Sequence, residues 1–384
     1  MVDLDDQYDV AILGGGLAGL AGAIQLAKKG FRVILFEKEK YPFHKVCGEY
    51  ISLESWDFLQ SLGLPLAEMK LPIIDTLQIS APDGTIVSSR LPLGGFGISR
   101  YTIDHLLAGI AKEAGVTLME ETKVTDVPFD GHFNVQFISK NTSTTSIKAT
   151  VCCGSFGKRS NLDVKWKRSF IARKNPRINN FLGVKYHVKG GWPHNLIGLH
   201  NFKDGYCGLS KIEEDKYCLC YLTTADNLKN CGGSVEALNK TILFQNPVLH
   251  SLFKEAQFVA DFPVTIAQIS FSKKNQVQDH VLLLGDAAGM IAPLCGNGMS
   301  MALHSSKLAA SVIGQFLDHN ISRKEMEEAY TAIWQKEFSN RLETGRILQG
   351  FFGNKMLSNL FIRLFLFLPF LAGFVIKKTH GKPF

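Results

Sequence analysis

Three glycines and a glutamate near the start of the sequence have the spacing of a phosphate-binding turn. Gly14, Gly16 and Gly19 stand between a short apolar run and an Ala- and Leu-rich segment that predicts a helix. Glycines so placed allow a tight turn, close approach of a pyrophosphate and close packing of helix on strand. The first N–H groups of the helix then face the phosphates. Glu37 follows a second apolar run, where its carboxylate can accept a hydrogen bond from a ribose hydroxyl. The unit predicts a dinucleotide site without distinguishing FAD from NAD.

A second glycine-rich segment lies late in the chain. A buried strand predicted over 281–284 places Asp286 at its carboxyl end, ready to accept hydrogen bonds from a ribityl chain. The glycines that follow Pro293 open a predicted helix that begins near Gly298. The N–H groups of that helix can face the anionic edge of a reduced flavin.

Together these segments resemble the FAD-dependent enzymes with the para-hydroxybenzoate hydroxylase fold. The resemblance implies that Asp286 contacts the ribityl chain and that the backbone of Gly296–Met299 contacts the pyrimidine ring. A nicotinamide dehydrogenase has no reason to carry the second segment, so FAD is the expected cofactor, with NAD(P)H or another reductant as electron donor. Arg100 stands where family members place an arginine on the pyrophosphate, and an ordinary surface arginine is the alternative. The cofactor-binding residues expected on this basis are Gly14, Gly16, Leu17, Ala18, Gly19, Glu37, Lys38, Cys47, Gly48, Arg100, Val124, Gly154, Gly285, Asp286, Pro293, Gly296, Asn297, Gly298 and Met299.

Several segments resemble one subgroup, the geranylgeranyl reductases. Lys45–Ser52 is similar to the Cys-Gly segment of that group, and Asp204–Lys211 stands where the group has a Gly-Tyr motif, without its Trp and Pro. The Phe-rich, basic tail with Leu368-Pro369 resembles the membrane-leaning end of the group. The Asp-Gly pair of the wider family is missing from Cys152–Ser160, which leaves the docking of NAD(P)H unspecified. The Trp-x-Trp-x-Ile-Pro motif of the flavin halogenases is not found.

The same resemblance makes Cys47, Glu49 and Tyr206 the candidate catalytic residues. A thiol at the flavin can protonate a substrate carbon, and the alternative is that Cys47 packs against the ring as a small hydrophobe. Glu49 is a possible acid–base group, or else a salt-bridged carboxylate. Tyr206 either lines the substrate pocket or packs within a strand. No metal is expected, because the eight cysteines form no CxxC pair and no Cys/His set with zinc spacing.

Three functions are compatible with these residues. The first is reduction of carbon–carbon double bonds in an isoprenoid or other long apolar substrate. The second is hydroxylation of a lipid-tailed aromatic or polyketide by a flavin monooxygenase, because the fold alone does not settle the reaction. The third is a flavoprotein that carries electrons without catalysis, and dehydrogenation or halogenation are further possibilities. All but the third predict a flavin-dependent oxidoreductase acting on a hydrophobic small molecule.

The predicted fold class is α/β, with a doubly wound, Rossmann-like FAD-binding domain, an inserted β-rich substrate domain and C-terminal helices. The FAD-binding domain is discontinuous, and its predicted pieces are 1–71, 100–164 and 276–318. The β-rich substrate region is predicted over 72–99 and 165–275. Residues 319–384 form the C-terminal helices and an apolar, basic tail. Within the first piece, residues 41–62 predict a loop followed by a helix.

The positive charge of the chain lies mostly in its tail. Residues 336–384 contain eight Lys or Arg and two Glu, a net charge of +6, so the other 335 residues carry only +1 of the total of +7. No basic face is predicted on the folded body, so nucleic-acid binding is not expected. A basic tail rich in Phe and Leu points instead to an anionic lipid surface, which suggests peripheral membrane contact.

The uncharged apolar stretch in the tail is too short to predict a membrane-spanning helix. Its longest stretch without charge, Leu364–Ile376, is interrupted by Pro369 and falls short of the roughly 20 residues that a span requires. A helix in the membrane interface, or one covering an apolar pocket, is expected instead. The start of the sequence is acidic rather than signal-like, and free thiols suit a reducing compartment, so a cytoplasmic protein, on its own or peripheral on a membrane, is expected.

Overall fold

The computed structural model describes residues 7–139, 142–172, 179–351, 355–367, 373, 376 and 378–384. Within these ranges the strands are β1 (Gln7–Leu13), β2 (Val33–Phe36), β3 (Tyr50–Ser52), β4 (Ile73–Ser80), β5 (Ile86–Gly97), β6 (Thr117–Met119), β7 (Thr122–Asp126), β8 (Phe129–Asp130), β9 (His132–Ser139), β10 (Thr142–Gly154), β11 (Asn179–Lys189), β12 (Leu196–Phe202), β13 (Gly205–Lys211), β14 (Tyr217–Thr224), β15 (Gln257–Phe258), β16 (Val264–Ser270), β17 (Val277–Gln278) and β18 (Val281–Leu283). The helices are α1 (Leu17–Lys28), α2 (Trp56–Leu62), α3 (Arg100–Glu113), α4 (Asn161–Lys165), α5 (Ser169–Ala172), α6 (Ala225–Asn230), α7 (Val235–Thr241), α8 (Pro247–Glu255), α9 (Gly298–Leu317), α10 (Arg323–Phe351) and α11 (Lys355–Phe367).

The first sheet runs in the order β17-β18-β10-β1-β2-β6 and is parallel at its centre. β1 pairs in parallel with both β10 and β2, while β18 and β6 extend the parallel pairing on either side. All four residues of β2, Val-Ile-Leu-Phe, are buried, as expected for a parallel strand covered on both faces. On one face, α1 packs against α3 and α9. The predicted α/β, Rossmann-like fold is therefore confirmed.

The second sheet runs in the order β15-β11-β14-β13-β12-β4-β5-β3, and β16 also pairs with β11. Its pairing is antiparallel except between β12 and β4. β3 lies within 41–62, where the sequence predicts only a loop and a helix, and it pairs with β5. This strand follows Cys47 and Glu49 directly, so it ties the segment that carries both residues to the edge of the second sheet.

Helix α10 packs on the first sheet, whereas α11 and Ile376 near the end of the chain contact the second sheet. On α10, the hydroxyl of Tyr330 donates a hydrogen bond to the carbonyl of Leu283 (2.6 Å). The ring of Phe384 stacks on His304 of α9, with centroids 4.1 Å apart. Pro369 and much of the stretch Leu364–Ile376 lie outside the described residues. In the part of the chain that the structure covers, no helix combines the length and apolar composition needed to cross a membrane.

Candidate active site

The turn between β1 and α1 has the geometry that a pyrophosphate requires. Gly14 has a φ of 107°, which side chains rarely adopt, and a Cβ at Gly19 would lie 2.1 Å from the carbonyl oxygen of Gly14. Gly16 is the N-cap of α1 and offers no side-chain cap. The first N–H groups of the helix, at Leu17 and Ala18, are thus presented to an anionic ligand together with the positive end of the helix dipole.

Glu37 follows β2 and is buried beside this turn. Its carboxylate accepts hydrogen bonds from the backbone N–H groups of Gly15 (3.0 Å) and Glu39 (3.1 Å). The backbone N–H of Thr122, the first residue of β7, donates to the carbonyl of Glu37 (2.9 Å). This hydrogen bond brings β7, which contains Val124, to the same edge of the sheet. Lys38 is exposed and lies 3.7 Å from the Glu39 carboxylate. Glu37 therefore lies at the end of β2, hydrogen-bonded to the backbone of the glycine turn.

The second glycine-rich segment meets the first at α1. A Cβ at Gly285, where φ is 56°, would lie 3.4 Å from the Cβ of Ala18. Asp286 is half-buried in the next position. Burial raises the pKa of its carboxyl, and the positive charges of Lys274 and Arg100 act in the opposite direction. The two glycine-rich segments thus lie side by side at the start of α1, with Asp286 at their junction.

A second helix begins without a side-chain cap on the other side of Asp286. The residues predicted to face the flavin ring are Pro293, Gly296, Asn297, Gly298 and Met299. Asn297 is the N-cap of α9, but its side-chain amide donates to the carbonyl of Thr379 instead of capping the helix (2.9 Å). The first N–H groups of α9 are left for a ligand, and Gly285, Asp286 and Gly298 line one narrow cleft. Two uncapped helix starts on either side of a buried carboxylate suit the diphosphate, ribityl chain and pyrimidine ring of FAD.

Arg100 is held beside the first glycine turn by a buried aspartate on its own helix. Its Nε and Nη2 groups donate to the two carboxylate oxygens of Asp104 (2.8 and 2.7 Å), and Lys45 donates to Asp104 as well (2.9 Å). A Cβ at Gly16 would lie 3.7 Å from Nη2 of Arg100. The guanidinium keeps three further N–H groups for other acceptors. Burial lowers the pKa of Arg100, but the Asp104 carboxylate raises it by more, so Arg100 remains a cation.

Glu49 is the centre of a buried ion cluster that joins β11 of the second sheet to the start of α3. Its carboxylate accepts hydrogen bonds from Lys185 Nζ (2.7 Å), His187 Nε2 (2.6 Å) and the backbone N–H of Arg100 (2.9 Å). Burial raises the pKa of Glu49, but the hydrogen bond from His187 and the charge of Lys185 outweigh burial and lower it to about 2. A carboxylate only accepts hydrogen bonds, so His187 must be the donor. Glu49 is thus a fixed, salt-bridged carboxylate, the alternative considered for it from the sequence.

Cys47 lies half-buried beside this cluster, against the second sheet. Its carbonyl accepts a hydrogen bond from the thiol of Cys218 (3.1 Å), and the carbonyl of Gly48 accepts one from Ser210 (2.8 Å). Cys218 pairs across the strands with His187, so the thiols and the ion cluster share one face of the sheet. Burial raises the pKa of Cys47, which keeps the thiol protonated at neutral pH. All eight cysteines are free, Cys47 among them.

Tyr206 lies on the same face of the second sheet, under the turn that leads to α9. It is 4% exposed, and its pairing with Leu222 places it diagonally next to Cys220 on the neighbouring strand. Burial raises the pKa of Tyr206, and the nearby thiols of Cys220 and Cys295 raise it further. The structure therefore brings Tyr206 to the turn before Gly296, and Cys220 lies between it and Cys47.

A cavity of about 680 Å³ opens between β5 and the end of the chain. Apolar walls come from β5 and the C-terminal segment, and the lining includes Leu91, Leu93, His304, Arg341, Ile376 and Phe384. Burial lowers the pKa of His304 to about 4, so its ring is neutral at pH 7. Arg341 faces the carboxylate of Glu54 at 3.7 Å, which offsets its charge. The volume is in the range of small-molecule sites. The lining also includes Glu337, His380 and Lys382, so apolar and charged side chains share the cavity.

Two family models match parts of the chain. The one described as FAD binding domain matches residues 9–44, which contain the glycine turn and Glu37. The one described as squalene epoxidase matches residues 214–341, which contain Asp286 and the start of α9. The two models thus cover the two glycine-rich segments that the structure brings together.

Curated proteins and a solved structure resemble the chain over most of its length. A conditioned medium factor receptor 1 from Dictyostelium discoideum is 24% identical over 371 residues, which cover 88% of this chain and 70% of that protein. A digeranylgeranylglycerophospholipid reductase from Methanococcus vannielii is 24% identical over 370 residues, covering 92% and 90%. The structure of a flavin-dependent brominase superposes with a TM-score of 0.75 at 22% identity, covering 93% of each chain. With the FAD-binding segment, these findings identify the chain as an FAD-dependent enzyme of the oxidoreductase class.

Proposed function

We propose that this enzyme reduces carbon–carbon double bonds in an isoprenoid or similarly long apolar lipid. The observation that carries the proposal is the free thiol of Cys47, half-buried against the face of the second sheet that also holds the Glu49 ion cluster. A protonated thiol can deliver a proton to carbon, which double-bond reduction requires and hydride transfer alone does not provide. Bound FAD would supply the hydride, after reduction by NAD(P)H or another reductant.

The apolar character of the substrate has two sources of support. The cavity beside β5 has Leu91, Leu93 and Phe384 among its lining residues, and the ring of His304 in that lining is neutral at pH 7. The similar proteins include a digeranylgeranylglycerophospholipid reductase, and one matching family model is squalene epoxidase; both names refer to an isoprenoid substrate. Because the two names describe different reactions on isoprenoids, they support the substrate class more strongly than they support one reaction.

The protein's own residues would then divide the work as follows. The first turn of α1 would hold the pyrophosphate of FAD, the first turn of α9 would hold the pyrimidine ring, and Asp286 would accept hydrogen bonds from the ribityl chain. Glu49, fixed by Lys185 and His187, holds the Cys47 segment against the second sheet. Tyr206, buried beneath the turn before Gly296, would support that turn from the second sheet. In this arrangement Cys47 moves the proton, and Glu49 and Tyr206 orient the site.

Oxygen insertion by a flavin monooxygenase is the second candidate. The match of residues 214–341 to squalene epoxidase favours it, because that part of the chain contains the predicted ribityl and pyrimidine contacts. Halogenation has less support, since the brominase shares only the fold at 22% identity and its group's tryptophan motif is not found in this sequence.

Replacing Asp286 with asparagine should weaken FAD binding. A charged acceptor would become a neutral one, which costs about 1.5–3 kcal/mol per hydrogen bond, or roughly 10- to 150-fold in the FAD dissociation constant. The constant is measured by titrating apoprotein with FAD and following flavin fluorescence. Asp57→Asn, an exposed aspartate at the start of α2, should leave the constant unchanged. Equal constants for wild type and Asp286→Asn would remove Asp286 from the FAD site.

Replacing Cys47 with alanine should slow turnover strongly without removing FAD. The experiment reduces the holoenzyme without oxygen, adds a geranylgeranyl lipid and follows recovery of the oxidised flavin absorbance. Wild type and Cys231→Ala, a cysteine packed in the separate core under α7, should recover it. Cys47→Ala should recover it at least about 100-fold more slowly, the range that general acid catalysis contributes. Recovery at the wild-type rate would show that Cys47 is a packing residue.

A further inference from the structure

Helix α11 has apolar residues on its outer face as well as on its inner face. The inner face consists of buried residues spaced by four and three positions, namely Ser358, Ile362 and Phe365. The outer face consists of leucines spaced by three and four positions, Leu357, Leu360 and Leu364, which are 38%, 64% and 42% exposed. A surface helix of a globular protein ordinarily has charged and polar residues on that side. A row of outward leucines marks a surface that binds something apolar.

The chain around this face carries positive charge almost without compensation. Residues 344–384 contain six Lys or Arg and no Asp or Glu. Arg363 lies next to Leu364, and its side chain is 60% exposed, although Asp83 at 3.2 Å offsets part of its charge. Lys378 and Lys382 are exposed as well. The positively charged region around this face attracts an anionic surface and repels a second copy of the same chain.

We propose that the outer face of α11 docks on an anionic lipid bilayer, with the helix lying in the plane of the interface. A helix of this length, 13 residues, extends about 20 Å, enough to lie along the headgroup boundary but not to cross it. The leucines would enter the acyl boundary while Arg363 and the lysines meet lipid phosphates. This docking is independent of the proposed reaction, because any anionic bilayer satisfies it.

Point variants test this better than removal of the tail. Thr379, Phe384 and their neighbours pack on α9 and its N-cap, so truncation would disturb the candidate flavin site as well. The assay is co-sedimentation of FAD-loaded protein with vesicles of phosphatidylcholine alone or mixed with phosphatidylglycerol. The variants are the double substitution Leu360→Gln with Leu364→Gln, and the single substitution Leu357→Gln. The matched control is Phe262→Gln, a residue 84% exposed between β15 and β16.

Wild type and Phe262→Gln should bind the mixed vesicles more strongly than vesicles of phosphatidylcholine alone. Both proteins should dissociate from the mixed vesicles as the salt concentration increases. The double variant should bind at least about tenfold more weakly, since two leucine side chains no longer enter the acyl boundary. Leu357→Gln should show a smaller loss, and all variants should keep FAD. Wild-type binding by the double variant, or no binding by wild type, would overturn the proposal. The proposal would also be overturned if sedimentation without lipid showed that the wild type is a dimer and that only the α11 variants are monomers.

Discussion

Gly19→Ala should yield folded protein that has lost at least about tenfold in FAD affinity and purifies with little flavin. A Cβ at position 19 would lie 2.1 Å from the carbonyl oxygen of Gly14 and 2.6 Å from the hydroxyl of Ser155. Neither the turn nor the start of α1 can accept such contacts, because both are packed against buried strands. Helix α1 must therefore shift from β1, which carries its first N–H groups away from the pyrophosphate. The measurement is the ratio of flavin to protein after gel filtration.

The same helix provides a control for this change. A Cβ at Gly22 would lie 3.8 Å from the Cβ of Ser306 and 3.9 Å from Cδ1 of Ile12, which are ordinary van der Waals distances. Alanine is also favoured over glycine inside a helix by about 0.5–1 kcal/mol. Gly22→Ala should therefore keep its FAD and unfold at a slightly higher denaturant concentration. Normal flavin content in Gly19→Ala, or equal loss in both variants, would refute the assignment of this turn to the pyrophosphate.

Glu49→Gln should destabilise the protein by about 3–5 kcal/mol, the cost of leaving one partner of a buried ion pair alone. Lys185 is 1% exposed and donates to the Glu49 carboxylate, so its ammonium would stay in the core without a counter-charge. The substitution also weakens the hydrogen bonds from His187 and from the backbone of Arg100. The free energy of unfolding is measured by urea titration of the FAD-loaded protein.

An exposed ion pair provides the control for Glu49. Glu236 and Lys240 pair at 2.7 Å on α7, with both side chains mostly in solvent, so Glu236→Gln should leave the urea midpoint unchanged. A midpoint shift of equal size in both variants would contradict the central place given to the Glu49 cluster.

The Glu49 cluster also predicts a specific dependence of stability on acid. The pKa of Glu49 is about 2 in the folded protein against an ordinary value of 4.5. A lowered pKa means that the carboxylate stabilises the fold fully above pH 4.5, and that this contribution disappears as the pH falls through 2. The difference corresponds to about 3 kcal/mol. Between pH 4.5 and pH 2, the free energy of unfolding of the wild type should fall by about 3 kcal/mol more than that of Glu49→Gln. Parallel curves for the two proteins would rule out this contribution from Glu49.

The parts of the site that the sequence predicted are those formed by neighbours along the chain. The β1–α1–β2 unit is local, because its apolar runs and glycines specify strand, turn and helix within thirty or so residues. The start of α9 at Gly298 is local in the same sense, since glycines after a proline mark it. Asp286 and the pyrophosphate turn come together because parallel strands end at one edge of a sheet, a rule that needs only the order of strands.

The parts that the sequence did not predict depend on contacts between distant segments. Lys185 and His187 lie 136 and 138 residues from Glu49, and their alternation along β11 is the only local sign that they share a face. Asp104 was visible in the sequence four residues after Arg100, the spacing of a helical ion pair, but only the fold buries it. The strand Tyr50–Ser52 is too short to show a period, and pairing with β5 creates it.

The central claim is that the bound flavin reduces a double bond rather than activating oxygen, and the mass of the product tests it most directly. A lipid extract is incubated with reduced holoenzyme, with and without oxygen, and the lipids are compared by mass spectrometry with those from Cys47→Ala. We predict a product that gains two hydrogens without oxygen and that is missing from the Cys47→Ala sample. A product that gains an oxygen atom only in air would contradict the claim and establish a monooxygenase.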